Sequence, residues 1–131
     1  LHICRGNNQG LWHAQGGYEA ISSGLFPRLS NYEYFLLEYD DERSGTFEPL
    51  RDVPDGSCVV LGLVSTKRGA IEPADLLKAR IREAARFHPL EQLAISPQCG
   101  FASTVFGNPV SETAQRAKLE LVGRTGREVW G

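Results

Sequence analysis

The chain has 131 residues, the size of one domain, and its 14 lysines and arginines nearly balance 16 aspartates and glutamates. A net charge of −2 offers no electrostatic reason for a nucleic-acid or membrane-surface partner, and apolar runs such as "CVVLGLV" are far too short to span a bilayer. No charged-then-apolar stretch reads as a secretion leader.

The chain contains no methionine, so it is read as processed or as a piece of a longer protein. Its 3 cysteines, Cys4, Cys58 and Cys99, are odd in number and widely spaced. That pattern does not suit a disulfide framework, and it fits a reducing, cytoplasmic location where thiols are inert, metal-bound or catalytic.

In chain order, "LHIC" reads as a strand, followed by a polar loop. The stretch "YEAISSGLFPRL" places Tyr18, Ile21, Ser22, Leu25 and Leu29 on one helical stripe, weakened by Gly24 and Pro27. "YFLLEYD" and "CVVLGLVS" read as buried strands. Pro73 starts a helix with Leu77, Ile81 and Ala84 inward, and His88-Pro89 ends it. "QLAIS" is a fourth strand, residues 97–109 form a loop, and Ser111 caps a last helix that turns Ala114, Ala117 and Leu121 inward.

Apolar strands alternating with amphipathic helices predict a parallel α/β unit over residues 1–131. Four strands are about half of an eight-stranded TIM-type β/α barrel, whose typical length is ~250 residues. A half-barrel alone leaves two open edges and an uncovered inner face. The other half is therefore expected from the parent chain or from another subunit.

Reactive groups in such folds gather where strands end. The four ends present His2 and Cys4; Glu38, with Tyr39, Asp40 and Asp41 behind it; Ser65, Thr66 and Lys67; and Gln98 with Cys99. One histidine, two thiols and a carboxylate make a plausible tetrahedral zinc set. In an extended strand His2 and Cys4 share a face, as do Leu36, Glu38 and Asp40. A carboxylate ending a buried strand needs a metal or a cation, for which Arg5, Arg43 and Arg51 are candidates. Cys58 begins its strand and receives no role. His13 and His88 read as structural or solvated, and Gly16-Gly17 as a turn in preference to a phosphate cradle.

Together "HICRGN", "LLEYDD", "VVLGLVSTK" and "SPQCGF" resemble the C-terminal catalytic barrel of the cobalamin-independent methionine synthase family, over nearly the whole chain and its last four strands. The resemblance implies Zn²⁺ bound by His2, Cys4, Glu38 and Cys99. It further implies methyl transfer from 5-methyltetrahydropteroyltri-L-glutamate to the thiol of homocysteine, giving methionine. Two thiolates and a carboxylate would leave a bound sulfur electron-rich, and Glu38 is the ligand expected to yield. One departure stands out: Val64 occupies the place of a family histidine thought to aid protonation at the donor. Glu38, Asp40 and Lys67 are then the candidate catalytic groups. The donor could instead be a methyl-corrinoid or an epoxide, as "GLVSTK" is more like the shorter methionine-synthase-like proteins. A non-catalytic half-barrel is the remaining reading.

Overall fold

The structure, a computed structural model, describes residues 1–102 and 104–131. Four strands, β1 (His2–Ile3), β2 (Tyr34–Glu38), β3 (Cys58–Val64) and β4 (Leu93–Pro97), form one parallel sheet in chain order. Among the described residues, three α-helices accompany them: α1 (Ser22–Leu25), α2 (Ala74–Ala84) and α3 (Glu112–Trp130). The parallel β/α expectation is met, with each strand within two residues of its predicted ends.

Period-two alternation divides the sheet into two faces. Phe35, Leu37, Val59, Leu61, Leu63 and Leu93 point toward the helices and join Leu77, Ile81 and Leu121 in the core. Each such side chain, fully buried, is worth about 1.5–3 kcal/mol. The registers Leu36↔Val60 and Val60↔Ala94 set the opposite face, which no helix covers among the described residues.

Two helices depart from their predicted stripes. The first is only Ser22–Leu25, run on by a 3-10 turn over Phe26–Arg28. Pro27 has no N–H to continue an α-helical ladder. Its buried residues are Tyr18, Ser22 and Phe26, while Ile21 and Leu25 are exposed. In α3, Ser111 does cap, accepting from the Ala114 N–H at 3.2 Å. The buried residues, however, are Lys118, Leu121 and Thr125, with Ala114 and Ala117 half-buried. Lys118 is tolerated inside because its ammonium lies 2.8 Å from the Glu72 carboxylate and also donates to the Ala70 carbonyl.

The first strand is short because side chains replace its ladder beyond Ile3. The Tyr18 hydroxyl inserts between β1 and β2, accepting from the Glu38 N–H (2.8 Å) and donating to the Ile3 carbonyl (3.0 Å). Burial raises its pKa to about 12, although Arg5 stacks on its ring and lowers it. The next ladder position is taken by the Glu38 carboxylate, which accepts the Arg5 backbone N–H at 2.6 Å.

Candidate metal centre

His2 opens the two-residue strand β1 on the uncovered face, and Cys4 follows two residues on. Cys99 lies two residues past the end of β4, at the other edge of the sheet. Nevertheless the His2 ring nitrogen and the Cys4 and Cys99 sulfurs all lie within 4.8 Å of one another. The sheet therefore curls until its two edges face each other at their C-terminal ends. Tetrahedral zinc with bonds of ~2.0–2.3 Å separates its ligand atoms by roughly 3.5–3.8 Å. The three donors meet that spacing with shifts the size of a rotamer adjustment. Burial, the neighbouring Cys4 thiol and the Glu38 charge push the Cys99 thiol up to about 12, against the opposing pull of Lys67. Without a cation beside it, Cys99 keeps its proton.

Glu38, expected as the fourth ligand, stands next to this trio but is not one of the grouped donors among the described residues. Oε1 accepts from Lys67 Nζ at 3.0 Å and from Arg43 Nη2 at 3.4 Å, and among the described residues Oε2 accepts only the Arg5 N–H. Oε2 thus keeps a lone pair for another partner. Burial opposes ionisation of this carboxyl, yet the Arg5 N–H, the Lys67 hydrogen bond and the Lys67 and Arg43 charges hold its pKa below the usual range. It is a carboxylate at neutral pH, suited to a cation.

The cations anticipated for Glu38 divide. Arg43 reaches its carboxylate by the side chain, Arg5 reaches the carboxylate by its main-chain N–H and the Glu38 carbonyl by its guanidinium, and Arg51 lies over the Phe87 ring. Lys67 holds three groups at once: Glu38, Asp40 Oδ2 (3.2 Å) and Gln98 Oε1 (2.5 Å). Burial raises the pKa of Asp40 above the usual aspartate value, although Lys67 and a hydrogen bond with Ser65 lower it. Gln98 passes the Lys67 charge onward, its Nε2 donating to Cys99 Sγ at 2.8 Å. Sequence reasoning placed Gln98 at a strand end but gave it no task. The signal available was its position immediately before a candidate ligand.

Gly62 keeps the face open beneath this network. A Cβ there would stand 3.0 Å from the Leu37 carbonyl and 3.4 Å from the Gln98 Cα, filling a crevice between His2, Glu38 and Gln98. The remaining polar residues stand apart. Cys58 opens β3 opposite Tyr34, away from the ligands. His13 is exposed, and His88 is buried with Nε2 at 2.9 Å from the Ser57 carbonyl. The Glu19 carboxylate lies over Gly17, where it would repel a phosphate. Val64 is buried and apolar, so the end of β3 holds no proton donor at that position.

Comparison with known proteins identifies relatives of the chain. A family model described as "Cobalamin-independent synthase, Catalytic domain" matches residues 34–118. The uncharacterized Bacillus subtilis (strain 168) proteins YxjG and YxjH are 51% and 49% identical over 131 residues, which is 99% of this chain and 34% of each of theirs. A Listeria monocytogenes protein assigned as a vitamin-B12-independent methionine synthase superposes with a TM-score of 0.70 at 34% identity, covering 99% of this chain and 34% of that one. A B12-independent methionine synthase from Shewanella sp. W3-18-1, solved with selenomethionine, shares the fold, with a TM-score of 0.72 at 22% identity over 98% of this chain and 37% of that one. The chain thus spans about a third of the length of its relatives.

Proposed function

The chain belongs to the cobalamin-independent synthase catalytic-domain family, and we propose that the protein transfers a methyl group to the thiol sulfur of homocysteine at a zinc site formed by His2, Cys4, Cys99 and Glu38. The observation that carries this reading is the convergence of one imidazole and two thiols from opposite edges of one sheet. A structural reason alone does not call for that arrangement, because the edges are otherwise far apart in hydrogen-bonding order. The metal would supply a positive charge that keeps thiols deprotonated at neutral pH.

The chain's own residues do the rest. Cys4 and Cys99 give the charge-rich, soft donor set that favours thiolate chemistry over water activation. Glu38, held ionised by Lys67 and Arg43, is the harder ligand and the one to yield to an incoming sulfur. Lys67 fixes Glu38 and, through Gln98, directs an amide N–H at the Cys99 sulfur, stabilising its charge. Asp40 shares the Lys67 ammonium and tunes it. Further β/α units, from the same polypeptide or another subunit, would cover the exposed Tyr34 and Leu36 and provide most contacts to the amino acid.

A second reading concerns the donor. Val64, buried at the end of β3, cannot move a proton to a folate leaving group. This favours a related thiol alkyltransferase whose donor needs no such proton, such as a methyl-corrinoid, over 5-methyltetrahydropteroyltri-L-glutamate. Elemental analysis of the purified protein, with Cys99→Ala alongside, tests the site: one zinc per chain is expected in the parent and none in the variant. Methionine formation from homocysteine with each donor in turn separates the two readings. Zinc-free protein that still methylates homocysteine would overturn both.

A further inference from the structure

Thr66, two residues past β3, is polar and fully buried, and none of the roles above uses it. Its Oγ1 accepts from Asn7 Nδ2 at 3.0 Å and lies 3.4 Å from Gln98 Oε1, toward which it donates. Its carbonyl accepts from Asn108 Nδ2 at 2.9 Å. Both asparagine amides also reach the Gly100 carbonyl, at 3.4 and 3.3 Å. Gly100 turns there with φ +100°, a conformation suited to glycine. Asn7 in turn accepts the Gly10 N–H, fixing the loop that follows Cys4.

Residues on both sides of Cys99 are therefore tied to Thr66, Gln98 directly and Gly100 through the two asparagines. The loops after β1, β3 and β4 meet on this one residue. The first and last of them carry the two thiols, and among the described residues no strand pairing joins those edges. The Asn108 amide gives its N–H groups to two carbonyls while its own buried oxygen has no partner among the described residues, so its orientation is set by the clasp.

We propose that Thr66, with Asn7 and Asn108, is a positioning clasp that fixes the separation of Cys4 and Cys99 before the ion arrives. The inference rests on the metal reading above. Thr66 touches no reacting atom. It removes the loop-ordering entropy that metal binding would otherwise have to overcome.

The test is zinc affinity of the full-length protein by chelator competition, together with the thiolate charge-transfer bands of the cobalt-substituted form. Thr66→Val keeps the shape and loses the hydroxyl; it should weaken zinc ~10- to 100-fold and dim those bands. Thr66→Ser restores the hydroxyl and should stay within about threefold of the parent. Asn108→Ala, at a half-buried position, serves as a second variant if Thr66→Val does not fold, with a loss of about tenfold expected. Parent-like affinity in Thr66→Val, or in Asn108→Ala where it is the variant used, overturns the clasp. So does a Thr66→Ser loss as large as that of Thr66→Val, which would make the methyl the important part. A parent protein that binds no zinc overturns the metal reading and the clasp together, and is distinguishable because the loss precedes any mutation.

Discussion

Two faces of one sheet, built from similar apolar residues, end in different surroundings. Toward the helices, Phe35, Val59 and Leu61 have no exposure at all. On the other face, Tyr34 is 55% and Leu36 40% exposed, and Cys58, Val60 and Ala94 are half-buried. The first face holds the unit together. The second carries the chemistry at its C-terminal end and, below it, apolar surface that a folded protein rarely leaves wet. The division of labour follows from strand geometry, since neighbouring residues point to opposite sides and can be selected for different tasks.

The largest expected effect lies on the uncovered face. Cys4→Ser and Cys99→Ser each lose stoichiometric zinc while the metal-free fold keeps its thermal midpoint, and Glu38→Gln weakens zinc less. Equal zinc in all three variants by elemental analysis would remove the site. On the helical face, Phe35→Ala should cost about 3–5 kcal/mol in denaturant unfolding, a large share of a typical domain's stability.

Leu36→Ala then tests whether the faces differ in the full-length protein. If further β/α units cover Leu36, the loss is about 2–5 kcal/mol; a change within about 0.5 kcal/mol would show the face open to water and defeat the half-barrel reading. Smallest is a pH effect. Cys99 is a neutral thiol without metal, its pKa pushed up to about 12, and would bind zinc as a thiolate, so binding should release a proton. Apparent zinc affinity, measured by chelator competition from pH 6 to 8, should rise about tenfold per pH unit for each proton released. A flat profile would mean that Cys99 is not a ligand.

The helical misreading and the polar network show where sequence reasoning stopped. The stripe from Tyr18 to Leu29 follows α-helical spacing, but Pro27 imposes a tighter turn that brings Phe26 inward and leaves Leu25 out. Lys118 reads as a solvated helix residue because nothing local announces Glu72, 46 residues away, as its partner. Thr66 and Asn7 are 59 residues apart, and Asn7 and Gly100 93 apart, distances over which no periodicity carries information.

By itself, the sequence determined the four strands, their parallel arrangement, the face shared by His2 and Cys4 in one strand, and the face shared by Leu36 and Glu38 in the next. Those features follow from local rules: side-chain period, capping, and the cost of leaving a carboxylate unpaired in an apolar strand. Only the tertiary structure decided that the sheet curls far enough to bring Cys99 within 4.8 Å of His2 and Cys4, and that Lys67, Arg43 and the Arg5 N–H share Glu38. Curvature and charge pairing are properties of the packed whole, set by how side chains distant in sequence fill the same space.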